Sequence, residues 1–433
     1  MPRLTMFHWA LVAMGVFQIT FLAVAGFTGA APDPSKLKYV VVYTVIVGGL
    51  VVLMPASFGL GLDELKRYLL QAWRRQIFVL LLIVFVVGLL YVIFLRFPVF
   101  DEASIFEASR IVAVEGIGNF FAKYLTISWL GIQHPPLMPL LYGLAMHLFG
   151  IDLIVLRLVS LFFTAGTVLL TFWLGSELYN EEIGFSAALL LLTFTYVFRV
   201  GAAASNDMPV TFFFILAVFL VVRMNRTPSV LLAAAAGACI GLGLVSKYTM
   251  ILVFPVLLGY VFAEHSNARI KRYLAITAVV SLTIIATWLA YAYKIGVLGT
   301  QVETLSAYAR VAVQSRRGLN LVLEWVVARL PSAVGPYDIP LILLGFWQSL
   351  RIRNVSDQFI IFWIVFVFLS LLLTLPDTRY FMLMFPALAI VASRGLEMLA
   401  DVGVRAVLLA LLYGAAALYL FVDWHRSVSI FLH

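Results

Sequence analysis

Cysteine and charged residues are what this sequence has least of. Cys239 is the single cysteine, which excludes an internal disulfide bond and any metal site built from several thiolates. Only 12% of the 433 residues are charged, whereas 64% are hydrophobic. Soluble domains are about 25% charged. The composition therefore predicts an integral membrane protein.

The short motifs of nucleotide-dependent and hydrolytic enzymes are also missing. The sequence contains no P-loop, no dinucleotide-binding glycine fingerprint, no HExxH and no GxSxG. Its 6 histidines are scattered, and none forms a recognisable metal-ligand pair with a carboxylate. We therefore predict no cofactor, while dependence on a divalent metal ion stays open. The net charge of +8 lies in short loops and not in a basic tract with interleaved aromatics, which argues against a nucleic-acid partner.

Apolar runs recur along the whole chain, with no stretch between them long enough for a soluble domain. Crossing the bilayer takes roughly 20 apolar residues. By that rule the predicted spans are 7–27, 38–59, 77–96, 153–174, 185–204, 208–222, 229–246, 249–263, 273–293, 337–350, 358–375, 379–393 and 404–422.

Two units are predicted from this pattern. Residues 1–60 form an N-terminal transmembrane hairpin, and residues 77–433 form the main transmembrane domain, with external loops at 97–152 and 294–336. The glycines from Gly237 to Gly243 lie inside one apolar run and resemble helix packing sites more than a phosphate cradle.

Residues 134–150 are left out of the spans because their apolar part is short and three prolines crowd its start. If this segment stays on one side, the basic connections all fall on the opposite side, which must be the cytoplasm. These connections are 66–75, 223–226, 269–272, 351–353 and 394–405. If the segment spanned, every basic loop after it would move outside. The charges therefore favour an interfacial or re-entrant segment.

This topology collects several ionisable residues at the outer ends of helices. They are Asp101, Glu102, His134, Asp207, Lys247 and Arg379. A carboxylate beside the membrane can deprotonate a hydroxyl group, and Lys or Arg can hold a phosphate. The combination suits an anionic lipid and a hydroxylated acceptor.

Each of the acidic residues also has a simpler explanation. Asp101 precedes an amphipathic segment and could be a helix cap, with Glu102 favourable in the first turn. Asp207 also resembles a helix start. Glu107 and Arg110 are spaced for an ordinary surface ion pair.

The histidine and the cations have alternatives of the same kind. His134 before two prolines could be an ordinary loop residue. Lys247 could extend its amine to the membrane surface, and Arg379 could be paired locally with Asp377. Independent caps and loop ions have no reason to gather on one side of the membrane, however, and this weakens the simpler explanations as a group.

The order of six short motifs resembles a known superfamily. The motifs are Phe100-Asp-Glu, Gln133-His-Pro-Pro-Leu, Leu156-Arg-Leu-Val-Ser, Asn206-Asp-Met-Pro, Ser246-Lys-Tyr and Thr378-Arg-Tyr. This set resembles the C-type glycosyltransferase (GT-C) superfamily, and most closely the branch that holds protein O-mannosyltransferases and lipid A aminoarabinose transferases. The resemblance covers about residues 77 to 395.

The resemblance implies an all-α polytopic bundle of about 13 transmembrane helices, with extracytoplasmic juxtamembrane helices in the first external loop. It implies a polyprenyl-phosphate sugar donor and a hydroxyl acceptor, which could be a lipid, a lipid-linked glycan or a protein. The expected location is a prokaryotic plasma membrane, with the active site on the extracytoplasmic side.

The resemblance also implies roles for individual residues. Asp101 would be the general base, and Glu102 would orient either the acceptor or the base. Lys247 and Arg379 would contact the donor phosphate. The remaining substrate-binding residues would be His134, Arg157, Asp207 and Tyr380.

The sequence departs from the aminoarabinose transferases at two places. Those enzymes have an arginine where this chain has Ser104, and a Lys-Pro pair where it has His134-Pro135. The donor-phosphate contacts that those enzymes make on that side therefore do not carry over to this chain. The identity of the acceptor is not inherited from the resemblance either. The alternative from another functional class is a lipid or solute transporter, which would place its ionisable groups at the bilayer midplane between internal repeats.

The topology is tested by introducing cysteines in a Cys239→Ala background. We expect Ser315→Cys and Asp101→Cys to react with an impermeant external thiol reagent in intact cells, because both lie in predicted external loops. Asn267→Cys should be protected until the membrane is opened. Equal labelling at positions 315 and 267 would contradict the predicted orientation.

Overall fold

The computed structural model of the chain describes residues 101–127, 134–264, 268–314, 324–371 and 378–398, together with isolated positions in 80–98 and in 405–416. Regular structure in these residues is helical throughout, and no strand occurs among them. The predicted all-α class is therefore confirmed over this part of the chain. The predicted hairpin, residues 1–60, lies outside the described residues, and the predicted number of spans stays a prediction.

The described ranges contain fourteen α-helices, numbered in chain order. The first seven are α1 Glu102–Ala122, α2 Leu137–Phe149, α3 Leu153–Leu178, α4 Glu181–Thr193, α5 Thr195–Gly201, α6 Asp207–Arg226 and α7 Val230–Ser246. The others are α8 Val253–Ala263, α9 Ala268–Lys294, α10 Val297–Gln314, α11 Leu330–Val334, α12 Ile339–Ile352, α13 Val355–Leu371 and α14 Phe385–Glu397. Three further turns of other helical type are the 3₁₀ segments Tyr248–Leu252 and Thr378–Met384 and the π segment Glu324–Arg329.

Among the described residues, four stretches are long and apolar enough to cross a membrane. They are α3, α6, the Ile270–Lys294 part of α9, and the continuous Thr378–Glu397 stretch that joins a 3₁₀ turn to α14. The helix α2, by contrast, has 13 residues and is about 20 Å long, which is shorter than the roughly 30 Å of the hydrocarbon core.

One predicted span is divided into two helices. Residues 185–204 were expected to form a single helix, but α4 ends at Thr193 and α5 begins at Thr195, because Phe194 between them has extended backbone angles, φ −66° and ψ 123°. The chain then runs from 202 to 206 without regular structure and is buried throughout. Irregular backbone at membrane depth is tolerated where the protein itself covers it.

The bundle is held together by close helix contacts. The helix α3 packs against α4 and α6, α7 packs against α6 and α9, and α14 packs against α4 and α12. At the contact between α7 and α9, a Cβ atom on Gly237 would lie 2.5 Å from the carbonyl oxygen of Thr277, and one on Gly241 would lie 2.7 Å from Cβ of Ile284. The prediction that these glycines serve helix packing is confirmed.

The first two helices form a pair at one end of this bundle. The helices α1 and α2 pack against each other, and Ile105 of α1 shares a buried cluster with Met138 and Tyr142 of α2 and Leu156 of α3. This cluster fixes the start of α1, where Asp101 and Glu102 are found, against the N-terminal end of α3.

Candidate functional site

Glu102 is the most tightly bound residue of the site. Its carboxylate accepts two hydrogen bonds from the Arg157 guanidinium, at 2.9 and 2.6 Å, and a third from the backbone N–H of Ala204 at 2.7 Å. The side chains of Glu102 and Arg157 are 0% and 1% exposed. A bidentate pair with an additional donor is the arrangement that compensates the cost of burying two charges.

This ion pair fixes the role that Glu102 can have. Both carboxylate oxygens are occupied and the side chain is fully buried, so Glu102 cannot contact an acceptor in this arrangement. Of its two predicted roles, this arrangement favours orientation of the base over orientation of the acceptor, and both stay predictions. What Glu102 does is join α1 to α3 and to the 202–206 segment, one residue away from Asp101.

Asp101 stands at the N-cap position of α1, yet its side chain makes no capping hydrogen bond. Its Oδ2 accepts instead from Nη1 of Arg379 at 2.9 Å, across 278 residues of sequence. The capping explanation therefore does not account for this side chain. The local pairing of Arg379 with Asp377 is not tested, because Asp377 lies outside the described residues.

Asp207 and Lys247 continue the line of ion pairs that begins with Asp101 and Arg379. These four residues form the charged row of the site. The Lys247 amine donates to Oδ1 of Asp207, and the other Asp207 oxygen lies 3.8 Å from Nη1 of Arg379. Lys247 follows the last residue of α7 with extended backbone, and its amine also lies 4.5 Å from the ring centre of Tyr380. Lys247 is thus buried in an ion pair and does not extend its amine to the surface, contrary to the simpler explanation.

Solvent exposure separates the three carboxylates of the site. The Asp101 side chain is 33% exposed, whereas those of Asp207 and Glu102 are 4% and 0% exposed. Of these three, Asp101 alone can be reached from outside without moving a buried ion pair. Any chemistry that needs a carboxylate to meet an incoming molecule falls to Asp101.

His134 is held by its backbone at the edge of this row. Its carbonyl oxygen accepts from the Tyr124 hydroxyl at 2.6 Å and from Nε2 of Gln301 at 3.2 Å. Burial, and then repulsion from Lys247 and Arg379, lower the pKa of the His134 imidazole to about 3. The ring is therefore neutral at physiological pH and adds no positive charge to the site.

The structure brings all eight predicted site residues into one region. The two carboxylates and two cations of the row, Asp101, Asp207, Lys247 and Arg379, are joined by ion pairs. Glu102, paired with Arg157, is the neighbour of Asp101 in the chain, and His134 and Tyr380 lie near Lys247. The described part of the chain contains no group of three His, Cys, Asp or Glu residues placed to hold a metal ion.

Sequence reasoning missed the residues that support this row. Tyr142 of α2 bonds the Ser160 hydroxyl at 2.7 Å and donates to the Ser205 carbonyl at 2.9 Å. Gln301 lies in α10, which was expected to be part of an external loop. In a single sequence, nothing distinguishes Tyr142 or Gln301 from the other tyrosines and glutamines of the chain.

Asn206 was quoted within a motif but given no role. It precedes α6, with φ −87° and ψ −8° in place of the extended angles usual at an N-cap, and it makes no side-chain capping bond. In the described structure both polar atoms of its buried amide lack a hydrogen-bond partner. An unpaired polar group next to an ion-paired Asp207 is a signal that only the structure can give.

Comparison with known proteins supports the resemblance. Residues 133–291 match the model of the dolichyl-phosphate-mannose-protein mannosyltransferase family, and this segment contains His134, Arg157, Asp207 and Lys247. A search among curated proteins finds no significant sequence match.

Three solved structures are similar in fold. ArnT from Cupriavidus metallidurans in the apo state is 18% identical, with a TM-score of 0.58, and the alignment covers 75% of this chain and 60% of ArnT. The same protein bound to undecaprenyl phosphate is 17% identical, with a TM-score of 0.56 and the same coverage. The oligosaccharyltransferase AglB from Archaeoglobus fulgidus, in complex with an inhibitory peptide and a dolichol-phosphate, is 14% identical, with a TM-score of 0.50 and coverage of 80% and 55%.

These likenesses confirm that the chain resembles the GT-C superfamily. They show the fold, and the chain spans only about 60% of the length of ArnT.

Removing one partner of the buried Glu102–Arg157 pair should cost far more stability than removing one partner of the exposed Glu107–Arg110 pair of α1. Arg157→Met leaves the Glu102 carboxylate buried without its cation and should lower the free energy of unfolding by about 3–5 kcal/mol. Arg110→Met removes the partner of the exposed Glu107 and should cost less than about 1 kcal/mol. Chemical unfolding of the detergent-purified variants measures both.

A second variant separates charge burial from lost packing. Adding Glu102→Gln to Arg157→Met removes the unpaired buried charge and should recover part of the loss. Equal losses for Arg157→Met and Arg110→Met would contradict the anchoring role of the Glu102–Arg157 pair.

Proposed function

Because the chain has the fold of GT-C enzymes, we propose that it is a membrane glycosyltransferase that moves one sugar from a polyprenyl-phosphate-linked donor to a hydroxyl group. The acceptor is a lipid, a lipid-linked glycan or a protein, and transfer takes place on the extracytoplasmic side of a prokaryotic plasma membrane. Support for the donor class comes from ArnT and AglB, whose structures contain undecaprenyl phosphate and a dolichol-phosphate.

The observation that carries this proposal is the position of Asp101. A general base must lie within hydrogen-bond reach of the proton that it removes. Asp101 is the exposed carboxylate of the site, it is adjacent to the anchored Glu102, and it faces the cations Arg379 and, through Asp207, Lys247. One reachable carboxylate beside buried cations is what an acceptor hydroxyl and a donor phosphate require together.

The cations supply the second half of the reaction. A polyprenyl phosphate leaves as an anion, and charge-assisted hydrogen bonds to Lys or Arg stabilise the charge that develops on it. Arg379 and Lys247 are 15% and 11% exposed, so an anion bound to them would be largely out of water. Electrostatic stabilisation is strongest in such surroundings.

The reaction is a single displacement. The acceptor oxygen attacks the anomeric carbon while its proton passes to the Asp101 carboxylate. The bond between the anomeric carbon and the phosphate oxygen breaks, its electron pair stays on that oxygen, and polyprenyl phosphate departs. The configuration at the anomeric carbon is therefore inverted. No carboxylic acid is needed to protonate the leaving group, unlike in glycoside hydrolysis.

The transporter alternative predicts a different use of the same charges. A transporter binds its substrate near the bilayer midplane and releases it unchanged. The charged row here lies where helices begin or end, at Asp101 before α1, Asp207 at the start of α6 and Lys247 after α7. Consumption of a polyprenyl-phosphate sugar by the purified protein, with formation of polyprenyl phosphate, distinguishes the two.

Asp101→Asn tests the assignment of the base. The change keeps the shape of the side chain but removes its ability to accept a proton, so turnover at saturating donor should fall by roughly 10²- to 10⁴-fold. Stability should change little, because Asp101 forms no capping bond and its ion pair is partly exposed.

Glu107→Gln is the matched control, since Glu107 is an exposed carboxylate on the same helix. It should retain the turnover of the unmodified protein. Full activity in a folded Asp101→Asn protein would eliminate Asp101 as the base.

A further inference from the structure

We propose that Asp101 and the donor phosphate compete for the guanidinium of Arg379, so that binding of the donor releases the base. This inference rests on the proposed function and concerns the same site. It follows from the pairing of charges, from their exposure and from the position of Asp101.

The first step is the charge balance of the row. Lys247 and Arg379 carry two positive charges, and Asp101 and Asp207 carry two negative charges, so the row is neutral. His134 is neutral at physiological pH because its pKa is lowered to about 3. A phosphate that binds to this row must therefore take a cation that a carboxylate already contacts.

The second step asks which ion pair can open. The pair of Lys247 and Asp207 is 11% and 4% exposed, and separating it would leave a buried charge without a partner. The pair of Arg379 and Asp101 is 15% and 33% exposed, and water can solvate the carboxylate that leaves. This partly buried pair costs less to open than the Lys247–Asp207 pair, so Asp101 is the group that a phosphate displaces.

The third step is the anchoring of the two partners. Glu102 is fixed to Arg157 and to Ala204, so Asp101 can rotate its side chain away while its backbone stays in place. The Arg379 Nη1 atom that contacts Asp101 also lies 3.8 Å from Oδ2 of Asp207, and this second contact holds the guanidinium near the row. Only one side chain has to move.

The exchange has a consequence for the order of events. While an Asp101 carboxylate oxygen accepts a hydrogen bond from Arg379, an acceptor hydroxyl has to compete with that bond. Release from Arg379 leaves the Asp101 carboxylate available to the hydroxyl. The base thus becomes effective once the donor is in place, and the donor is expected to bind before the acceptor reacts.

The test measures binding of undecaprenyl phosphate to the full-length protein in lipid nanodiscs. If Asp101 competes with the phosphate, Asp101→Asn should tighten binding by roughly three- to tenfold, although the same change lowers turnover by roughly 10²- to 10⁴-fold. Glu107→Gln removes the same charge from the same helix at an exposed position and should leave the affinity unchanged.

A double-mutant cycle with Arg379→Met separates exchange from simple repulsion between Asp101 and the phosphate. Arg379→Met should weaken binding, and adding Asp101→Asn to it should then give little or no gain, because there is no guanidinium left to compete for. An equal gain in both backgrounds would overturn the exchange, and so would unchanged or weaker binding by Asp101→Asn alone.

The proposed function can fail separately in the same experiment. Undecaprenol lacks the phosphate and serves as the reference ligand. If the unmodified protein binds undecaprenyl phosphate no better than undecaprenol, the donor class is wrong and the exchange is wrong with it. If it binds the phosphate specifically but Asp101→Asn shows no gain, the exchange alone is overturned.

Discussion

The buried ion pair between Glu102 and Arg157 is the constraint on which the rest of the site depends. It connects the first residue of α1 to α3, and through the backbone N–H of Ala204 it also connects to the irregular segment that leads into α6. Asp101 and Asp207 lie at the two ends of these connections. A buried ion pair adds little net stability, because desolvation of the two charges offsets their attraction. Its contribution here is to fix the start of α1 relative to α3 and to the 202–206 segment.

Composition and motif order were sufficient to predict which residues meet. The length and hydropathy of the apolar runs identified α3, α6 and α9, because a long apolar run in a membrane has few alternatives to a helix. The site residues were predicted from ionisable groups at the outer ends of such runs, because charges at membrane depth are costly without a function or a partner. Six of the eight site residues were selected in this way, and the resemblance added Arg157 and Tyr380; all eight lie together in the structure.

Pairing could not be read from the sequence in the same way. Nothing in the sequence marks Asp101, which lies 278 residues earlier, as a partner of Arg379. The break at Phe194 and the helix α10 also escaped prediction. Both depend on tertiary contacts that local propensity does not encode, since the Thr193 hydroxyl bonds the Asp338 carboxylate and the Gln301 side chain bonds the His134 carbonyl.

The pairing of each cation with a carboxylate, which allows the charged row to be buried, also limits how strongly the row binds an anion. An unpaired Lys247 or Arg379 in these surroundings would carry a large desolvation cost, so each cation is placed against a carboxylate. A phosphate then gains only the difference between its own contact and the contact that it replaces. Under the proposed exchange, such a site would bind a polyprenyl-phosphate donor only moderately. It would release the lipid phosphate more readily than a site with unpaired cations, because the displaced carboxylate can return to its cation.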